Sequence, residues 1–180
     1  LANPITDAAA LEGISLVMRN LKTAFESGSD RKAREAMSLG ALLGGIALQA
    51  KMVYGHSIGY TLATRFNLPH GVSCGIPFPY VIAAYAVASG PRMKKLAEAF
   101  GVSLPGDDSV ALGEAVAEKV RELAGILKIP RTLKELGVAE GDLPGLAREC
   151  MEVYPRPNSP LVFDVKSMER FYRMMWEGSA

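Results

Sequence analysis

The sequence predicts an all-α fold. Period-two alternation of β-branched residues is nearly absent, while Ala, Leu, Met and Glu recur at helical spacing. Short polar residues also stand just ahead of several apolar-periodic runs, where they can cap helices. Asn3 opens the first helix with Pro4 in its first turn, since Pro has no amide to lose there, and the helix ends near Gly28. Asp30 caps the second helix. Its uncharged part, Ala36 to Ala50, carries Gly40, Gly44 and Gly45 on closely related faces, which predicts a helix packed tightly against it. A third helix runs from about Ser57 to Phe66. The next uncharged stretch, Gly71 to Gly90, has the length of a membrane span, ~20 residues. Pro77 and Pro79 break it and leave a shorter core helix, Tyr80 to Ser89, closed by Gly90 and Pro91. No membrane segment is expected. A short amphipathic helix follows from Arg92 to Phe100, and the turn at Leu104 to Asp108 starts a longer one with Val116, Val120, Leu123 and Leu127 on its core face. Pro130 stops that helix, a brief one covers Leu133 to Leu136, and Asp142 is a cap for Leu143 to Val153. Pro155 to Pro160 reads as a loop, and Asp164 caps a last helix with Met168, Phe171, Tyr172 and Met175 inward.

The bulk properties narrow the class. At 180 residues, 49% hydrophobic and 22% charged, the chain can bury a core as one domain. A formal charge of +1 without any basic stripe leaves nucleic acid a poor partner. Cys74 and Cys150 form no CxxC pair and no disulfide framework, which suits a reducing, cytoplasmic compartment. The start at Leu1 has neither a charged n-region nor an apolar h-region and reads as trimmed rather than targeted. There is no glycine-rich turn between a strand and a helix to cradle a pyrophosphate.

Both histidines, His56 and His70, lie in one segment that begins Gly55-His56-Ser57 and ends Leu68-Pro69-His70-Gly71. On a straight helix, at ~1.5 Å per residue, they would share a side but stand far apart. The chain must bend to bring them together, and Pro69 and Gly71 are the residues expected to bend it. Glycines beside both rings would leave room for an ion. Spacing alone leaves two readings open: imidazoles hydrogen-bonded at the edge of the core, or a ligand pair. It is no standard zinc signature. Cys74, four after His70, could add sulfur on the same helical face and make a softer site, although a free thiol is more often core. Tyr60, four after His56, shares that residue's face.

The stretch from Gly55-His56 to Pro69-His70-Gly71, followed by Phe78-Pro79-Tyr80-Val81, resembles the signature of iron-containing (group III) alcohol dehydrogenases. So do Asn3-Pro4-Ile5-Thr6-Asp7, the glycine-rich helix at Gly40 to Ile46, Leu136-Gly137-Val138 with Asp142-Leu143-Pro144, and the Pro-Arg-Pro loop at 155–157, in the order of that family's C-terminal domain. The resemblance covers essentially the whole chain. It implies a multi-helix, dehydroquinate-synthase-like C-terminal domain with His56 and His70 as metal ligands. It also implies Tyr60 near the nicotinamide and substrate, and Cys150 near the substrate pocket. The implied cofactors are Fe2+, with Zn2+ or another divalent ion compatible with the same ligands, and NAD(P). The implied partners are a small alcohol or aldehyde and an N-terminal dinucleotide-binding domain.

Departures from the family are equally specific. Its members take an Asp and, four residues later, a His from a helix preceding the part that resembles Asn3 to Glu12, and that helix is absent from this sequence. Asp7 has Leu11 at the fourth position, so it cannot stand in. The family often has a histidine where this chain has Tyr60, and a phenol offers a hydrogen bond but no proton relay near neutrality. These differences predict a chain that is catalytically silent alone, and whose apolar surface, bared where the first half would sit, favours a homo-oligomer. A zinc-dependent polyol dehydrogenase relative and a non-enzymatic helical interaction domain are the competing readings.

Overall fold

The structure, a computed structural model, describes residues 1–179. Among them it contains nine α-helices and no strand. The helices are α1 (Pro4–Glu26), α2 (Arg31–Ala47), α3 (Tyr54–Phe66), α4 (His70–Gly75), α5 (Phe78–Ser89), α6 (Arg92–Ala99), α7 (Ser109–Ile126), α8 (Leu143–Glu152) and α9 (Val165–Glu177). Short 3-10 turns at Leu48–Ala50 and Glu140–Asp142 lead into α3 and α8. The all-α expectation holds.

The caps form where the sequence places most of them. The Asn3 side chain accepts from the Ile5 and Thr6 amides while the Thr6 hydroxyl accepts from the Asn3 amide, so three otherwise unsatisfied donors are paired at the start of α1. Asp30 accepts from Ala33, Asp108 from Val110 and Ala111, and Asp164 from Ser167. Asp142 differs. Its carboxylate accepts from the Ala139 amide, upstream of α8, and Pro144 in the first turn of that helix removes one of the donors a cap would serve. Residues 133–136 form turns rather than a brief helix, because Pro130 and Gly137 (φ +79°) bound a segment too short to propagate one.

Two apolar clusters organise the chain. The larger gathers α3, α8 and α9 around Ile58, Leu62, Leu146, Met168, Tyr172 and Met175. The inward face expected for α9 is thus observed, with Tyr172 and Met175 fully buried. A smaller cluster joins α5, α6 and α7 through Ala86, Met93, Ala97 and Val116. Helix α5 gives Tyr80 and Val81 to the first cluster and Ile82 and Ala86 to the second. A helix covered on two flanks needs no polar face, which explains the uncharged run that has the length of a membrane span. Pro79 sits in the first turn of α5 and extends it upstream to Phe78. Among the described residues no single helix is long and apolar enough to cross a membrane. Residues 31–50 and 54–66 reach that length only together, across a bend of 112°.

Helices α1 and α2 form a hairpin whose seam is built on two glycines. A methyl group at Gly13 would lie 3.2 Å from the Gly40 carbonyl oxygen, and one at Gly40 would lie 3.1 Å from Val17 Cγ2. Gly40 therefore meets the tight packing predicted for it, whereas Gly44 and Gly45 have nothing within 4 Å. The outer side of α2 exposes Leu39, Leu42 and Ile46, the second of them 62% exposed. Between the hairpin and α7 runs an open, almost wholly apolar groove of about 570 Å3, lined by Ala10, Val17, Leu123 and Leu127 and reaching His56. Leu123 and Leu127, on the predicted core face, are only half-buried, because α7 outruns the cluster beneath it and its last turns overhang the groove.

Helices α5 and α7 cross closely in the smaller cluster, because a methyl group on Gly113 would overlap that of Ala86. Gly113→Val is expected to cost about 1–3 kcal/mol through overpacking. Urea unfolding checks this, and an unchanged midpoint would show that the crossing tolerates bulk.

Candidate metal centre

The bend between the histidines comes only in part from the residues the sequence singles out. Helix α3 starts at Tyr54, three residues earlier than expected, so His56 occupies its first turn. It ends at Asn67, which adopts the left-handed conformation (φ +50°) that Asn reaches more easily than most residues. Pro69, at φ −55°, then leads into α4, whose first residue is His70. Gly71 lies inside α4 and has no part in the reversal, so the bend expected from Pro69 and Gly71 is made by Asn67 and Pro69.

What holds the reversed segment against α3 is a glycine. A methyl group at Gly59 would sit 2.5 Å from Cys74 Sγ and 3.3 Å from its Cα, so α4 can lie on α3 only because no side chain intervenes. The ring centroids of His56 and His70 are thereby brought to 5.9 Å. Tyr60 stacks on His70 at 5.8 Å with 24° between planes, and packs edge-on to His56 at 6.1 Å. Its hydroxyl donates towards Met52 Sδ at 3.8 Å. Beneath α4, Ser73 Oγ donates to the His70 carbonyl oxygen and is itself fully buried. The donor atoms of His56, His70 and Cys74 all lie within 4.8 Å of one another. Imidazole nitrogen and thiol sulfur so grouped are a suitable donor set for a divalent transition ion.

The electrostatics favour the neutral form of one imidazole. Burial pushes the His56 pKa below its ordinary 6.5, and the nearby His70 and Arg156 push it further the same way. A neutral ring keeps a nitrogen lone pair free for a cation. Burial pushes the Cys74 thiol up, against a smaller downward pull from the Ser73 hydroxyl. Arg156 comes from the loop after α8. Its Nε donates to Ser57 Oγ at 2.9 Å, Ser57 Oγ donates to the Tyr154 carbonyl oxygen at 2.7 Å, and its guanidinium carbon lies 5.7 Å from the Tyr60 ring centre. The Pro-Arg-Pro loop thus closes one side of the histidine cluster. Nothing in its spacing from residue 56 announces this, because 99 residues separate Arg156 from Ser57.

Cys150 stands apart. It is fully buried in the larger cluster, its pKa is pushed up to about 12 by burial, and it lines neither cavity that reaches His56. The face of α8 that carries it is the core face, beside Leu146 and Ala147.

Comparison with known proteins bears on the same segment. Residues 1–176 match the Fe-containing alcohol dehydrogenase family, C-terminal part. The chain belongs to this family. Among curated relatives, the 1,3-propanediol dehydrogenase of Citrobacter freundii is 32% identical over 96% of this chain and 45% of its own length. Alcohol dehydrogenase 4 of Saccharomyces cerevisiae is 32% identical over 98% and 45% respectively. A solved structure of a 1,3-propanediol oxidoreductase superposes with a TM-score of 0.91 at 30% identity, covering 97% of this chain and 46% of the other. The chain therefore spans a little under half the length of these members of the iron-containing alcohol dehydrogenase family, and the expected fold, the family's helical C-terminal part, is the one observed.

Three outcomes follow from this geometry. Gly59→Ala is expected to push α4 off α3, lowering the thermal midpoint and separating the two imidazoles, measurable as reduced uptake of a divalent ion by the folded variant. For His56, a lowered folded pKa means that between that value and 6.5 the unfolded chain binds more protons than the folded one. Stability therefore rises with pH through this window and falls on acidification below about pH 6.5. Arg156→Gln removes one of the three causes, so the His56 ring proton, followed by NMR in the metal-free protein, should titrate at higher pH than in the parent. A titration that stays in place would exclude Arg156 as a neighbour of the ring.

Proposed function

We propose that this chain is the helical, metal-binding part of a metal-dependent, NAD(P)-linked alcohol dehydrogenase or aldehyde reductase, with His56 and His70 as two of the ligands. The observation that carries the reading is the approach of the two rings across the Asn67–Pro69 bend, in the segment where the family signature lies. The ion of the family is iron, and zinc suits the same donors. When bound, it supplies a Lewis acid for the alcohol or carbonyl oxygen of a small substrate, while a dinucleotide exchanges hydride with the adjacent carbon.

The chain's own residues have separable tasks in this scheme. The surroundings of His56 lower its pKa and so favour the neutral ring, which can donate a lone pair. Tyr60 covers one face of the His70 ring and limits its rotation. Arg156, tied to Ser57, fixes the loop that walls the cluster and keeps a positive charge beside it. Tyr60 is assigned a place near the nicotinamide and substrate, as a hydrogen-bonding and packing residue rather than a proton relay.

A dinucleotide-binding part is assigned as the partner of this chain, which spans a little under half the length of its relatives. The apolar groove beside His56 and the exposed leucines of α2 fit burial against that remaining part or against a second copy in a homo-oligomer. Two cysteines without a disulfide partner fit a cytoplasmic setting.

The test follows NAD(P)H absorbance in the full-length protein with a panel of short alcohols and aldehydes. His56→Ala and His70→Ala are expected to abolish turnover and to lower bound metal, measured by elemental analysis, while leaving the helical circular dichroism intact. The 180-residue chain alone is expected to give no turnover. Full metal content and full activity in both variants would end the proposal and favour a helical interaction domain with structural histidines.

A further inference from the structure

We infer that this site selects short aliphatic aldehydes or alcohols that carry a carboxylate at the far end of the chain, with Lys51 as the residue that reads the carboxylate. The inference rests on the proposed dehydrogenase reading of the same site and adds to it the class of substrate.

The cavity is the first argument. With a volume of about 500 Å3 it reaches His56, and its walls are apolar, Leu48, Val53, Phe78 and Val81 among them. Among the described residues that line it, Lys51 alone carries a formal charge. Lys51 is also exposed, so its ammonium can meet a ligand that enters from solvent. Pockets of this make-up hold an apolar body and orient it by a few polar groups. A methylene chain suits the walls, and with its carboxylate on Lys51 such a chain can run along them towards His56.

The second argument is the balance of charge. From Ala36 to Ala97 the sequence contains no Asp or Glu. Within that stretch Arg65 is paired with Glu149, Arg92 with Asp7 and Lys94 with Asp107. Lys51 has no acidic partner among the described residues. Arg156, near enough to His56 to lower the pKa of that ring, donates to the Ser57 hydroxyl and likewise lacks an acidic partner among them. Two positive charges left without carboxylates around a low-dielectric cavity favour an anion over a neutral competitor.

The third argument is the backbone of Lys51 itself. Its φ of +70° and ψ of 157° define a region that glycine enters freely and that a residue with a Cβ enters only under strain. The conformation is fixed on both sides. The Lys51 amide donates to the Leu48 carbonyl oxygen at 2.9 Å, and the carbonyl oxygen of the next residue, Met52, accepts from Asn158 Nδ2 at 3.1 Å. Glycine would make the same turn without strain, so what the position gains from lysine is the side chain.

The test compares succinic semialdehyde with its methyl ester, the same chain without the charge, as substrates of the full-length protein with NAD(P)H. The parent should favour the acid, with a ratio of kcat/KM for acid over ester of ~10 or more, as one charge-assisted contact supplies. Lys51→Glu should lower that ratio by ~10-fold or more, and Lys51→Arg should retain it. Lys51→Gly should lower it while raising the thermal midpoint, because charge and strain leave together. A parent ratio at or below one, or a ratio that Lys51→Glu leaves in place, would overturn the inference. So would a raised KM for NAD(P)H at an unchanged ratio, which would assign Lys51 to the phosphates of the dinucleotide. Calorimetric titration with succinate separates this inference from the reading beneath it. Succinate binding that Lys51→Glu weakens, in a protein that turns over no aldehyde, would support Lys51 as the carboxylate-reading residue and end the dehydrogenase reading, whereas neither turnover nor succinate binding would end both.

Discussion

The contact between Gly59 and Cys74 is the constraint on which the candidate metal centre depends. Two helices that cross with a side chain between them stand at ordinary interaxial separation, ~8–10 Å, and residues in their first turns then diverge. Here the missing side chain lets α4 lie directly on α3. The same contact orients Cys74, brings His70 under the ring of Tyr60, and sets the distance to His56. A larger residue at position 59 would leave every donor in the sequence and still dissolve the cluster.

Around that contact the polar groups are arranged so that little is left unsatisfied. Ser57 both donates to the Tyr154 carbonyl and accepts from Arg156, and the buried Ser73 hydroxyl is satisfied by the His70 carbonyl. Further from the centre, Thr61 and Tyr172 share a 2.6 Å hydroxyl contact inside the larger cluster. Buried hydroxyls paired in this way avoid the desolvation penalty of orphaned groups and tie α3 to α9 and to the 154–156 loop. The charge of Arg156 is thus placed by hydrogen bonds rather than by an acidic partner.

Much of the fold is legible in the sequence because it is written in local chemistry. The caps at Asn3, Asp30 and Asp164, and the inward stripe of α9, need only neighbours within one or two turns. The histidine pair is visible for the same reason: both rings lie in one short segment with a proline near one end. The misses are those that require distant partners. Leu123 and Leu127 have the right period, but whether a face is covered depends on the length of the elements opposite. Cys150 could not be assigned to core or pocket until Tyr172 and Met168 were seen beside it. Arg156 approaches Ser57 only through the closure of α8 and its loop, and Gly59 looks like any helical glycine until Cys74 is placed above it.

Asn67 shows how such an architecture narrows the alphabet at a position that makes no chemistry. Its backbone is left-handed, a region where a Cβ crowds the following carbonyl and which glycine enters freely and Asn or Asp with small strain. Replacing it with a β-branched or bulky residue would not touch the imidazoles, yet it would add ~1–2 kcal/mol of strain to the turn joining them. Tolerance to mutation in this protein is therefore set as firmly by torsion angles between the donors as by the donors themselves.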